Sequence, residues 1–377
     1  MTQLRNIDRY NLARLLSSLI NNPGDATPYW NETKDNTDPN DIKELEYAKV
    51  ITAGISPMEM WTNIISAAED QGLLLIMVEV IKSKFNGNIP LESFYGEIKD
   101  GFEKRVTKIA TAIKNNQCVL FIGPELLQCK DGNSLETFNR YVALQLSKML
   151  ENKGIYFDED AKDSLSYIAN RFEAIPKMTN RDLCKQAKKI FDSATLYKEV
   201  YQKITDLRFP LIISTNPDNI LDTEYTGLGL SFSSGYYDRS NQDKDVVVYD
   251  ETKPIIYKIF GSFDSPYSIL FTDEDRVQFS KNVVKNAPEV PPIIKVLLEN
   301  KYCLFLGFSF EEWHLNFLID SLGLTKSDLE EKNFALLIDK AKEPDIEHFE
   351  KNYKFYFIND KIEEFMDDVI EAIKKLS

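Results

Sequence analysis

Histidine, tryptophan and cysteine are scarce in this chain, with two, three and four copies among 377 residues. The cysteines (Cys118, Cys129, Cys184 and Cys303) form no Cys-x-x-Cys pair, and both histidines stand well apart from them. A zinc site is therefore not expected, and no other metal cofactor is implied. Two of the cysteines lie inside apolar runs, where a free thiol behaves as a small hydrophobe. No apolar run reaches the ~18 residues that a membrane helix needs. No cationic stretch followed by an apolar segment opens the chain, so a secretory leader is not expected. Basic runs are missing as well. Lys and Arg total 45 against 60 Asp and Glu, a formal charge of −15. Such a balance repels the phosphate backbone and argues against direct nucleic-acid binding. The expectation is a soluble, cytoplasmic protein without membrane contact.

What the chain does have is apolar residues, at 43%, and enough length for two cores. The first ~90 residues read as helical. Leu12, Leu15, Leu16 and Leu19 recur at helical spacing. Asn22-Pro23-Gly24-Asp25 marks a turn, and the polar stretch 31–43 reads as a loop. Ser56-Pro57-Met58-Glu59 is a helix start, with a Ser cap, Pro at the first position and Glu three residues after the cap. The helix it opens carries Trp61, Ile64, Ile65 and Ala68. After Gly72, a second apolar segment runs from Leu73 to Ile81 and stops near Asn86-Gly87-Asn88. This region reads as a small all-α bundle spanning 1–92, followed by a helical linker over 93–116.

From residue 117 the pattern changes. Short apolar runs alternate with helical stretches: Cys118–Ile122, Leu211–Ile213, Val246–Tyr249, Ile255–Ile259, Cys303–Leu306, Phe334–Ile338 and Phe355–Ile358. Several are apolar at every position, which suits strands covered on both faces. Such alternation predicts an α/β domain over 117–377, with a Rossmann-like, mostly parallel sheet flanked by helices. An amphipathic helix carrying Ile362, Phe365, Met366, Val369, Ile370 and Ile373 ends it.

Open parallel sheets bind ligands beyond the carboxyl ends of their strands. Gly123-Pro124-Glu125 follows the first strand, where a glycine lets backbone N–H groups approach a phosphate or simply makes a tight turn. Ser214-Thr215-Asn216-Pro217-Asp218 follows the second. Asn216 there suits contacts to a ribose or amide and Asp218 can anchor the turn, and both equally suit a turn that caps the next helix. Phe260-Gly261-Ser262 follows Ile255–Ile259, and Gly307-Phe308-Ser309 follows Cys303–Leu306. Ser309 and Glu312 have capping-box spacing, which offers Ser309 a purely structural role.

The order of these four motifs resembles the Sir2 superfamily over roughly residues 105–377, in particular the Sir2-like domains of prokaryotic conflict and antiphage systems. The family's Gly-Ala-Gly loop corresponds to Gly123-Pro124-Glu125, its Asn-x-Asp to Asn216-Pro217-Asp218, its Lys-Leu-His-Gly-Ser to Lys258-Ile259-Phe260-Gly261-Ser262, and its late Gly-x-Ser to Gly307-Phe308-Ser309. The resemblance implies NAD as substrate or ligand. It places Gly123, Pro124, Glu125, Thr215, Asn216, Gly261, Ser262, Gly307 and Ser309 around the cofactor, with Asn216 and Asp218 as the catalytic pair. Sir2 enzymes cleave the nicotinamide–ribose bond, and the defence-associated branch commonly does so by hydrolysis. The N-terminal stretch resembles the effector-associated helical adaptors of bacterial immune proteins. That implies a partner defence protein docked through residues 1–92, and the Sir2-like resemblance implies a homo-oligomeric assembly.

Two positions depart from the family pattern. Phe260 stands where the family carries its catalytic histidine, and phenylalanine can neither accept a proton nor hydrogen-bond a hydroxyl. Glu125 replaces the second loop glycine and would repel a pyrophosphate unless turned away or neutralised. His314 lies outside the motif and reads as structural. Two functions follow. One is an NAD glycohydrolase effector in which Glu125, Asp218 or Asp264 replaces the histidine. The other is a catalytically inactive nucleotide sensor or assembly scaffold. Protein deacylation is not expected without the histidine and a zinc module.

Overall fold

The computed structural model describes residues 6–20, 26, 28–29, 31–33, 56–70, 73–85, 87–132, 134–158, 161–238, 250, 252–285, 288–299, 301–310, 313–324, 332–336, 343–358 and 360–376. The chain divides into two compact units. One comprises Met1–Lys108 with Phe357–Phe365, the other Ile109–Tyr356 with Met366–Ser377.

The described residues before 109 that lie in regular structure are all helical. Helix Asn6–Leu19 packs on helix Pro57–Asp70, and helices Leu74–Lys84 and Ile89–Lys114 follow. The Ser56 hydroxyl accepts a hydrogen bond from the Glu59 amide at 3.2 Å, so this helix begins where the sequence signals it. Residues 31–33, expected in a loop, are helical, and the buried Thr33 hydroxyl satisfies itself on the Tyr29 carbonyl. The remainder of that stretch, the turn at 22–25, Gly72 and Asn86 lie outside the described residues. Leu12, Leu16, Trp61, Ile64, Ile65, Met77, Val78 and Ile81 form one apolar core.

Trp61 is fully buried in that core, and its indole N–H donates to the Ile20 carbonyl at 2.9 Å. The bond ties the end of helix Asn6–Leu19 to the second turn of helix Pro57–Asp70. Trp61→Phe leaves the Ile20 carbonyl without its donor and a void beside it. We expect a loss of about 2 kcal/mol in urea denaturation. A loss below ~0.5 kcal/mol would mean that the carbonyl finds water instead.

After residue 109 the chain builds a sheet of seven strands. They are β1 (Cys118–Ile122), β5 (Leu211–Ser214), β6 (Ser233–Tyr236), β7 (Ile255–Lys258), β8 (Tyr302–Leu306), β9 (Asn333–Leu336) and β10 (Phe355–Ile358), in the order β10-β9-β8-β1-β5-β7-β6. The pairings β1–β5, β1–β8, β5–β7, β6–β7 and β8–β9 are parallel. With its flanking helices, this is the expected Rossmann-like α/β architecture. The central strands β1, β5 and β7 are buried at every position, as their continuous apolar runs require. Phe121 and Phe305 stack across β1 and β8, with centroids 4.3 Å apart.

The chain enters the sheet at β1 and later returns on both sides of it, through β5 on one flank and β8 on the other. The strand order therefore reverses at β1, and a crevice opens at such a point beyond the carboxyl ends. The run Val246–Tyr249 and residues 337–338 of the sixth expected strand fall outside the described residues. The sequence did not announce β6. A small antiparallel sheet was also unexpected: β2 (Gln128–Asp131) pairs with β3 (Ser134–Thr137) and with β4 (Leu196–Tyr197).

All four cysteines are free and buried. Burial raises the Cys129 thiol to about 11 and the Cys303 thiol to about 12, so both stay protonated at neutral pH. Among the described residues, no His/Cys/Asp/Glu group could hold a metal ion, and no helix is long and apolar enough to cross a membrane.

Candidate functional site at the carboxyl edge of the sheet

Parallel register brings four loops to one level. Ile122 pairs with both Ser214 and Leu306, and Ser214 pairs with Lys258. The chain therefore leaves the sheet together at Gly123, Thr215, Ile259 and Gly307. Backbone bonds continue the ladder past the strands. The Gly123 amide donates to the Leu306 carbonyl at 2.8 Å, and the Ile259 amide to the Ser214 carbonyl at 2.9 Å. Ile122 accepts from both the Thr215 amide and the Thr215 hydroxyl, at 2.9 and 3.0 Å.

The two loop glycines are explained by this convergence. A Cβ on Gly123 would stand 2.0 Å from the Gly307 carbonyl oxygen. Gly307 has φ +78, and a Cβ there would stand 2.6 Å from the Leu126 amide nitrogen. The Glu125 amide caps the Gly307 carbonyl at 3.0 Å. Gly123 and Gly307 thus let two loops touch backbone to backbone. Gly261 is packed similarly, with Ser268 backbone 2.3 Å from where a Cβ would sit. Ser262 donates its amide to the Ser268 hydroxyl and its hydroxyl to Asp264.

Asn216 is 4% exposed, and its side-chain amide donates to the Gly123 carbonyl at 3.0 Å, joining the second loop to the first. Its own amide donates to the Ser214 hydroxyl. Asp218 is buried nearby and accepts from the Ile220 amide at 2.9 Å, opening helix Ile220–Gly227. Burial raises the Asp218 carboxyl from 3.8 to about 6, although the Ile220 amide and the Lys258 ammonium pull the other way. The Tyr201 phenol, on helix Glu199–Leu207, is pushed up first by burial and then by the Asp218 charge. The Asn216 side chain faces that phenol, but the contact falls short of hydrogen-bond geometry. Lys258 is 3% exposed at the end of β7, and its Nζ lies 3.0 Å from Asp222 Oδ2. The Asp222 carboxylate also accepts from the Ser234 hydroxyl on β6. A buried ammonium of this kind must be paired, and this pair fastens β7, β6 and the helix after β5 together.

Pro124, Thr215, Asn216, Pro217 and Phe260 wall a cavity that Asn139, Leu165, Ile269, Leu270, Phe271 and Arg276 complete. Its volume is about 30 Å³, room for about one water, whereas small-molecule sites run to roughly 300–1,000 Å³. The Phe260 ring, 8% exposed, packs edge-on against Phe279 with centroids 5.3 Å apart. Of the residues singled out from the sequence, Pro124, Thr215, Asn216 and Phe260 meet at this wall. Gly123, Asp218, Gly261, Ser262 and Gly307 shape the loops behind it. Glu125 and Ser309 are half-buried and do not line it. Glu312, the other half of the expected cap, and the His314 side chain lie outside the described residues.

Sequence reasoning missed Tyr201, Arg276 and the Lys258–Asp222 pair. Lys258 carried a readable signal, because a lysine inside Ile-Ile-Tyr-Lys-Ile-Phe needs a buried partner. Arg276 and Tyr201 sit in ordinary amphipathic helices and carried none.

The fold and crevice define a parallel α/β domain whose polar loops converge where the strand order reverses. Residues 210–358 match the SIR2-like domain family, so the resemblance to the Sir2 superfamily holds over that stretch. The match includes Asn216, Asp218, Phe260, Gly261, Ser262, Gly307 and Ser309, while Gly123, Pro124 and Glu125 precede it. No curated protein matches the chain.

Proposed function

We propose that the chain is a Sir2-like, NAD-linked component of bacterial antiphage defence, an NAD glycohydrolase effector whose crevice stays closed until a partner or trigger opens it. The observation that carries this reading is Asn216. It is buried where the strand order reverses, fixed to the Gly123 carbonyl, and walls the cavity. Its carboxamide can hold a ribose hydroxyl or a water. Hydrolysis would break the bond between nicotinamide and ribose C1′, with nicotinamide leaving on the bonding electrons. Water would then add to C1′ and release a proton. In this reading Asp218 is a positioning residue, because its carboxylate is spent on the Ile220 amide and holds the loop that carries Asn216. The helical residues before 109 would receive the partner.

A second reading is a catalytically inactive nucleotide sensor or assembly scaffold. Phe260 favours it, because the ring fills the place where the resemblance expects a proton-carrying histidine, beside a cavity of about 30 Å³.

Cellular NAD and nicotinamide should be measured before and after phage infection in bacteria making the wild-type chain or Asn216→Ala. The hydrolase reading expects NAD to fall at least tenfold with the wild type and to persist with the variant. Equal NAD in both cultures removes that reading. A thermal shift of the purified chain with NAD or ADP-ribose then supports the sensor, and no shift leaves the scaffold.

A further inference from the structure

A much larger cavity, about 530 Å³, lies at the opposite edge of the sheet. Its walls come from the segments that enter the central strands: Asn116 before β1, Arg208 and Pro210 before β5, Lys253 before β7 and Lys301 before β8. We propose that this cavity is a binding site for an organic phosphate of mononucleotide size.

Charge is the first ground. In a chain of net charge −15, the cavity is lined by three cations and one carboxylate, Asp250. Lys253 is paired with Asp250 at 3.2 Å. Arg208 and Lys301 have no carboxylate partner among the described residues, and the Lys301 ammonium donates only to the Asn116 carbonyl at 2.8 Å. Two cations on one concave space, with no carboxylate partner among the described residues, suit a phosphate dianion.

Tyr225 is the second ground. It lines the cavity at 1% exposure, and its buried hydroxyl has no hydrogen-bond partner among the described residues. A buried phenol left unpaired costs about 1–3 kcal/mol, which a ligand acceptor would offset. Arg208 lies close enough to that phenol to act on it electrostatically. The ligand group that meets Arg208 can therefore also take the Tyr225 proton as a donor bond.

Backbone geometry sets where the two segments turn: Asn116 and Arg208 adopt left-handed conformations, with φ of 56 and 54, and Arg208 there caps the end of helix Glu199–Leu207. Apolar Pro210 and Leu297 complete the wall and offer a surface for a base.

The test is calorimetric titration of the full chain with AMP, adenosine and inorganic phosphate, at low and moderate salt. One-to-one binding of AMP is expected, weakened at least tenfold by Lys301→Gln, by Arg208→Gln and by moderate salt. Tyr225→Phe, which removes only the hydroxyl, should weaken it about threefold to tenfold. Adenosine should bind at least tenfold more weakly than AMP. The proposal is overturned if AMP does not bind, if adenosine binds equally well, or if both charge variants retain wild-type affinity. Loss of AMP binding in Asn216→Ala but in neither charge variant would put the nucleotide at the carboxyl edge instead, and would equally overturn it.

Discussion

Gly123→Ala should lower the stability of the chain by more than about 3 kcal/mol, enough to leave much of it unfolded at 37 °C. The added methyl would stand 2.0 Å from the Gly307 carbonyl oxygen and 2.7 Å from the Phe308 ring. The nearer atom is backbone, held by the Glu125 amide on one side and by the central strands on the other. No rotamer change relieves that clash, so a whole loop has to shift. Gly307→Ala should be comparably severe, because its positive φ adds backbone strain to the contact with Leu126. Gly96 is the control: it lies in helix Ile89–Lys114 with nothing within 4 Å of its Cβ position. Gly96→Ala should stabilise by about 0.5–1 kcal/mol. Urea denaturation followed by circular dichroism separates the three. Parallel curves for Gly123→Ala and Gly96→Ala would mean that the loops are not packed against each other.

Asp218→Asn should do the opposite, and do so in a pH-dependent way. The folded chain raises this carboxyl from 3.8 to about 6, chiefly by burial. Its contribution to stability is therefore fully present below pH ~4, where both states are protonated, and is lost as pH rises through ~6. At pH 8 the folded state holds a buried carboxylate at a cost of about 3 kcal/mol. Asparagine stays neutral throughout and can still accept from the Ile220 amide. The variant should gain about 1–3 kcal/mol over wild type at pH 8 and much less at about pH 3.5. A gain that is the same at both values, or a loss at pH 8, would show that the Lys258 ammonium compensates the charge.

How much of this could be read beforehand depended on burial. The strands β1 and β10 stand where their apolar runs begin and end, since every position of β1 faces protein. β5, β7 and β8 differ from their runs by a residue, because the last ladder bond falls on Ser214, Lys258 or Tyr302. β6, β2 and β3 were illegible: Ser-Ser-Gly-Tyr, Gln-Cys-Lys-Asp and Ser-Leu-Glu-Thr bury little and show no period. They exist because a neighbouring strand offers them backbone partners, and composition does not record that.

The candidate site was legible in the same uneven way. The positions were evident, because polar residues after a buried strand are conspicuous. Their roles were not. Gly123 and Gly307 fit a phosphate loop on paper, whereas in three dimensions each is the space the other loop needs. Asp218 fits a catalytic carboxylate equally well, yet its oxygen is committed to a helix start. The crowding around Phe260 depends on Phe279, Leu270 and Phe271, which the motif does not contain.

The central place of β1 bears on synthesis. Both its neighbours lie downstream, and the farther one, β8, emerges only after about half the chain has followed. Until then a strand that is apolar on both faces has two open edges. Such a segment invites pairing with another nascent chain. Sheet closure must also wait for contacts very distant in sequence, which slows folding. Yield of this protein should therefore follow translation rate and chaperone supply more closely than its final stability.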